Sequence, residues 1–321
     1  MARYIVRRLL QAIPLLLIIT FVLFALIQEM GDPLSFYAGR GRIRPEDRAR
    51  LTEQLGLNRP MAVRYLIWLK NMTLGNWGNS LATRQPVVEM IAERLPNTLI
   101  LMSASEAIVI VLSLVLGVYS AIRQYSLFDH TLTTLCLIGY SMPIFLIALV
   151  AIYVFAVYFK RWGLPYFPTG GVYELQAGKT FKQVLWHMVL PVGAMSVVSI
   201  SGYTRYIRAS MLEVINQDYI RTARSKGLRE RTVLFRHAFR NAAIPFITLL
   251  GMDLPFLLGG AIVTESVFAW PGMGRLFWEH AGKMDYPVMM AIMFLISLSV
   301  VLFQLLADIA YTYFDPRIRY S

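Results

Sequence analysis

Six stretches of predominantly apolar residues, about 9–28, 98–121, 132–158, 184–206, 242–264 and 286–311, restrict what this chain can fold into more than any other feature. Each has the roughly 20 residues that a helix needs to cross the hydrocarbon core of a bilayer. The chain has 321 residues, 57% of them hydrophobic and only 16% charged. Soluble domains carry about 25% charged residues, so the composition excludes most soluble enzymes and nucleic-acid modules. The formal charge of +12 is read as membrane topology, because Lys and Arg flank the apolar runs. The expectation is an all-α membrane protein with six transmembrane helices. Arg3, Arg7 and Arg8 precede the first run as they would in a signal peptide, but the run is too long and no A-x-A site follows, so it is read as a retained helix. The lone cysteine, Cys136, lies in an apolar run and excludes an intrachain disulfide framework or a Cys-based metal cluster.

Six crossings bring both termini to one side. With that side cytoplasmic, 15 Lys/Arg lie inside and 16 outside, but 10 of the 16 sit in the 69-residue segment from Glu29 to Asn97. Loops longer than about 60 residues translocate largely regardless of charge. Without that segment the count is 15 against 6, which predicts both termini in the cytoplasm and a large extracytoplasmic loop after the first helix. The division is therefore 1–28 as first helix, 29–97 as external cap and 98–321 as a five-helix core with a cytoplasmic loop at 207–241. The cap carries helix signals: Pro45-Glu46-Asp47 opens one helix and Gly56 closes it, and Pro86 opens another with Val87, Val88, Ile91 and Leu95 on one face.

The loop between the fourth and fifth runs contains a short helix with its own punctuation. Asp218 is placed to accept from free N–H groups at its start, Arg224 and Lys226 suit the negative end of its dipole, and Gly227 permits a left-handed cap. Thr222 and Ala223 are small enough for another protein to approach closely. By composition alone the same segment reads equally as a solvated basic loop.

The string Asp218-Tyr-Ile-Arg-Thr-Ala-Arg-Ser-Lys-Gly-Leu228 resembles the "EAA" loop of permease subunits of ABC importers, specifically the dipeptide/oligopeptide (Dpp/Opp) B-type branch. The resemblance runs through Tyr4-Ile-Val-Arg-Arg8, Gly31-Asp32-Pro33, Leu74-Gly75 to Ser80, Gly139-Tyr-Ser-Met-Pro143, His237-Ala-Phe-Arg-Asn241, Thr264 to Arg275, Asp285-Tyr-Pro287 and Asp315-Pro-Arg-Ile-Arg319. It implies the type I ABC importer fold in a bacterial or archaeal plasma (inner) membrane, multi-pass. It implies a homologous C-type permease, two cytoplasmic ABC ATPases that bind ATP and Mg, and an extracytoplasmic binding protein as partners. The cargo implied is a peptide or a related small solute: an oligosaccharide, glutathione or a nickel chelate. ATPase coupling then falls to Asp218, Tyr219, Arg221, Thr222, Ala223, Arg224, Lys226 and Gly227. Arg221-Thr222-Ala223 stand where the general consensus has Glu-Ala-Ala, and Gly227 to Pro245 is longer than in that consensus.

The chain shows no ATP chemistry of its own. Gly178-Lys179-Thr180 lacks the glycine five residues earlier that a phosphate cradle needs, and His130, His187, His237 and His280 are scattered. No catalytic or metal residue, cofactor or nucleic-acid partner is expected; membrane lipid is. Carboxylates inside spans face a bundle interior or cavity by default. Asp308 near the cytoplasmic end reaches interfacial water or an Arg, whereas Glu106 and Asp253, the latter two residues before Pro255, are candidates for the translocation path. Asp253 alternatively pairs with an Arg of a neighbouring helix. Gly193, Ser196, Ser199 and Tyr203 form a small or polar stripe suited to helix packing or to lining the path. The rival functions are a stand-alone proton-coupled secondary transporter relaying protons through Asp253 and Glu106, and an intramembrane enzyme using that carboxylate pair.

Overall fold

A computed structural model describes residues 2–29, 45–54, 58–174, 176–253 and 259–314. Gly31-Asp32-Pro33, Gly56, Pro255, the motif from Asp315 to Arg319 and the side chain of Asp308 lie outside this description. Among the described residues nearly all regular structure is helical, and the extended pairing is an isolated bridge between Asn79 and Pro86. Helices suit a chain in lipid because they satisfy their backbone groups internally.

Among the described residues five helices are long and apolar enough to cross a membrane. They are α1 (Ala2–Glu29), α4 (Val87–Ile122), α6 (Ile144–Arg161), α7 (Phe181–Ile215) and the last helix, α13 (Tyr286–Phe314). The cap contributes α2 (Pro45–Gln54) and α3 (Met61–Thr73). The helix expected to open at Pro86 does not end before the second run; it continues through Pro96 as α4, since Val87 and Ile91 stay on one buried face.

Two runs are not single continuous helices among the described residues. The third, 132–158, is broken: α5 (Leu127–Ser141) stops at Met142 and α6 restarts after Pro143, whose ring and missing N–H do not allow an α-helix to run through unbent. The fifth, 242–264, falls into α10 (Ile244–Asp253) and α11 (Ile262–Val267), with 254–258 outside the described residues.

The chain divides into two compact units. The first takes residues 1–98, 254–262 and 271–321. In it α1 lies along α13, and α12 (Met273–Ala281) packs on α13 through Leu276, Val288 and Ile292. Asp285, fully buried between α12 and α13, staples the loop before α4 to this pair. Its carboxylate accepts from Ser80 Oγ at 2.5 Å, from the N–H of Leu81 at 3.0 Å and of Ala82 at 3.2 Å, and lies 2.8 Å from His280 Nδ1. Burial pushes this carboxyl up, but the hydrogen bonds from His280, Ser80, Leu81 and Ala82 outweigh it and hold the group below its ordinary range. The second unit takes residues 99–253 and 263–270. There α7 is the central element, contacted by α5 and α6. At Gly139 α5 lies close to α7: a Cβ there would sit 2.6 Å from Ser201 Oγ.

Replacing Asp285 by Ala leaves Ser80, the two N–H groups and His280 without their acceptor. Each buried unsatisfied group costs about 1–3 kcal/mol. The purified protein is expected to melt well below wild type, while Glu213→Ala, at an exposed position, leaves the melting temperature unchanged. Because the native pKa of Asp285 is depressed, its contribution is present at neutral pH and is lost as pH falls through that native value.

Candidate coupling and translocation sites

At 1.5 Å per residue α7 is about 50 Å long, more than the ~30 Å hydrocarbon core, so one end projects from the bilayer. At the Ile215 end the chain turns through Asn216 and Gln217 into α8 (Asp218–Ser225). Eight residues do not hold a helix in water, so tertiary packing must. Ile220, fully buried, and Ala223 supply it, joining Met211, Val233, Ala238, Ala242 and Phe246 in one apolar cluster. Helix α9, residues 230–242, completes this cluster and contains a π-helical stretch, Val233–Phe239.

The rest of α8 faces away. Asp218, Tyr219, Arg221, Thr222, Arg224, Ser225 and Lys226 are exposed, as are Leu228 and Phe235 beside them. Two sequence expectations need correction. Asp218 does not cap the helix: Gln217 is the N-cap, with no side-chain bond, and the Asp218 carboxylate stands 3.8 Å from Arg221. Ala223 is not on the outward face, because it lies three residues from Ile220 on the stripe that packs inward.

The far end is as expected. Gly227 has φ +74°, and its N–H donates to Arg224 O at 2.9 Å. A Cβ there would meet nothing within 4 Å, so the backbone conformation alone selects glycine. Arg224 turns to Glu230, 2.8 Å away, and its hydrogen bond holds the Glu230 carboxyl below the ordinary value. Asn241 Nδ2 donates to Tyr219 Oη at 3.1 Å, a second tie between α8 and the segment after it.

A pair that sequence reading missed braces the same end of α7. Arg208 donates to both oxygens of Asp129 at 2.6 and 2.7 Å, and Ser120 Oγ and Tyr125 N–H donate to the same carboxylate. Asp129 is 1% exposed, and the Arg208 guanidinium foremost holds its carboxyl far below the ordinary range. The local signal was present: Ser126 caps α5 by accepting from Asp129 N–H, three residues on.

The intramembrane candidates meet in the second unit. Tyr203 Oη, on α7, donates to Asp253 Oδ2, at the end of α10. Among the described residues the partner of Asp253 is thus a tyrosine and not an arginine; Arg205 stacks on Tyr140 and Arg208 holds Asp129. Glu106 lies on α4, and among the described residues its Oε1 is buried with no hydrogen-bond partner. Ser196 departs from the path expectation: it is 3% exposed and meets Ser105 Oγ at 3.2 Å, a bond between packed helices. Ser199 is half-buried and Gly193 exposed. The arrangement offers two carboxylates and a phenol to a hydrogen-bond donor or a cation. Gly178-Lys179-Thr180 ends as a helix cap, Thr180 Oγ1 accepting from Gln183 N–H.

Similarity to known proteins extends along nearly the whole chain. The family described as "Binding-protein-dependent transport system inner membrane component" matches residues 113–320, and the corresponding N-terminal family matches 1–102. The oligopeptide transport system permease protein AppB of Bacillus subtilis is 43% identical over 322 residues, covering 100% of both chains. A putative peptide permease protein of Brucella suis is 41% identical over 99% of each chain. The dipeptide transport system permease protein DppB of Escherichia coli K12 is 35% identical over 100% of each.

Removing one partner of a buried pair strands the other, at about 3–5 kcal/mol for fully buried cases. Asp129→Ala is expected to lower the melting temperature of the purified protein. Asp129→Ala/Arg208→Ala is expected to lose less than the two single changes summed, in a double-mutant cycle read by thermal unfolding.

Proposed function

This chain belongs to the inner membrane components of binding-protein-dependent transport systems, the permease subunits of ABC importers, and on that footing we propose how its parts share the work. The outward face of α8 is the contact for the ATPase partner. What carries this reading is the way α8 is held: one stripe, Ile220 and Ala223, anchors it to its own chain, and Tyr219, Arg221, Thr222 and Lys226 are exposed. A helix held in this way moves with its support. ATP-driven closure of the ATPases displaces α8, and the shared cluster, the Arg224–Glu230 pair and the Asp129–Arg208 clamp pass the displacement to α7, α10 and α5. The spans then rock between outward-open and inward-open states.

ATP and magnesium are bound by two ATPase partners and not by this chain. A homologous C-type permease supplies the other half of the path, and an extracytoplasmic binding protein delivers the cargo. Peptides are the favoured cargo, since the relatives named above are peptide permeases; an oligosaccharide, glutathione or a nickel chelate is handled by the same architecture. Asp253, Tyr203 and Glu106 line the path, with Ser199 beside them, and Ser196 serves helix packing. The chain crosses the membrane six times, the fifth crossing being the segment that contains α10 and α11, and both termini are cytoplasmic. The division follows: 1–28 the first helix, 29–97 the extracytoplasmic cap that receives the binding protein, and 98–321 the core with its coupling loop at 207–241.

Gly227→Val forces a branched side chain into a positive-φ position, at about 1–2 kcal/mol. Normal membrane levels are expected, with loss of co-purified ATPase or of stimulated hydrolysis; full transport contradicts the coupling role. Asp253→Asn is expected to keep assembly and basal ATPase activity while reducing transport and shifting substrate preference; poor assembly makes Asp253 a structural residue instead. Cysteines at Asn76 and Arg229, in a Cys136→Ser background, test the orientation with a membrane-impermeant maleimide. Asn76 is expected to react in spheroplasts and Arg229 only after lysis; the reverse pattern inverts the topology.

A further inference from the structure

The first unit contains a cavity of about 550 Å³ between the end of α1, helix α3, the loop before α4 and the start of α13. Arg64 of α3 lines it, together with Gln28, Asn71 and the aromatic rings of Trp68, Trp77 and Tyr286. Arg64 is half-buried, and its hydrogen bond goes to a neutral group, Gln28 Oε1. Burial lowers its pKa and only the Tyr286 hydroxyl opposes this, so among the described residues no carboxylate answers its charge. Glu53 and Arg59 stand exposed at the rim. A guanidinium has five donors in a fork that matches a phosphate or a carboxylate, and among the described residues only the bond to Gln28 uses one of them.

The level of this cavity in the bilayer follows from α1. Tyr65, next to Arg64, donates to Leu17 O at 3.0 Å and meets Thr20 Oγ1 at 2.9 Å. Thr20 lies nine residues before the end of α1 at Glu29, about 13 Å down the helix. Helix α3 is therefore sunk beside a spanning helix and does not float above the membrane. Its outer face agrees: Val63, Leu66 and Ile67 are exposed, Leu66 at 62%, and Leu26 of α1 is 59% exposed. Arg64 meets Gln28, in the last turn of α1, which is the depth of the phosphates, with tryptophans at the same level.

We propose that this cavity is a phospholipid site, in which Arg64 binds the phosphate of a membrane lipid whose acyl chains run down over Leu66 and Leu26. The ligand chemistry is a phosphate diester. The apolar surface below the guanidinium, continuous with the span, favours a lipid over a free anion as its source. The assignment does not depend on which side of the membrane the N-terminus occupies or on the cargo.

The test uses the purified importer complex, stripped of lipid in detergent and incubated with dioleoyl phosphatidylglycerol, with dioleoylglycerol, or with inorganic phosphate, and read by native mass spectrometry. The expected result is retention of the phospholipid, no retention of dioleoylglycerol, and no displacement of the phospholipid by millimolar phosphate. Arg64→Met is expected to weaken retention about ten- to a hundredfold, the value of a charge-assisted contact, while Arg64→Lys weakens it less and Lys70→Met, exposed on the same helix, leaves it unchanged. A headgroup photoprobe on the unaltered complex gives a second reading that needs no variant, with labelling expected within 59–77. The proposal is overturned by equal retention in Arg64→Met, by displacement with free phosphate or with transported peptide, or by labelling confined to other segments.

Discussion

Hydrocarbon offers no hydrogen-bond partner, and every other feature of this chain is arranged around that deficit. A continuous helix meets it without help, which is why five long helices dominate the described residues. Where the chain turns, partners must come from elsewhere in the chain, and two buried carboxylates supply them. Asp129 accepts from Ser120, the Tyr125 N–H and Arg208 at the turn between α4 and α5. Asp285 accepts from Ser80, Leu81 and Ala82 and meets His280 at the turn between α12 and α13. Each is an anion kept buried by several donors, and each fixes a turn that the apolar effect alone leaves undetermined.

The same economy governs α8. An eight-residue helix is too short to persist alone, so its stability and its mechanical connection are one interaction, the burial of Ile220 and Ala223. The Arg224–Glu230 and Tyr219–Asn241 ties are exposed, so water screens them, and they orient the helix more than they stabilise it.

Much of this was legible in the sequence, and the misses share a cause. Apolar length located α1, α4, α7 and α13, and the positive φ of Gly227 could be anticipated because glycine after a basic helix end has few other reasons to be there. Hydropathy averages across Ser141-Met142-Pro143, so it overlooked the break that separates α5 from α6. Asp218 looked like a cap because Asp commonly is one, but the helix begins one residue earlier than that role needs. The inward turn of Ala223 follows from Ile220 three residues before it, a stripe too short for periodicity to reveal. Contacts between Asp129 and Arg208, or between Tyr203 and Asp253, join residues 79 and 50 positions apart and depend on how the helices lie against α7.

The central claim is that α8 meets its ATPase by the face opposite Ile220 and Ala223. Single cysteines at Thr222 and at Ala223, in a Cys136→Ser background, distinguish the two faces when the assembled importer is oxidised against cysteines scanned across the ATPase surface. The account predicts that Thr222→Cys forms a disulfide with the ATPase that blocks transport until it is reduced, and that Ala223→Cys forms none. Crosslinking from Ala223→Cys with none from Thr222→Cys would contradict it.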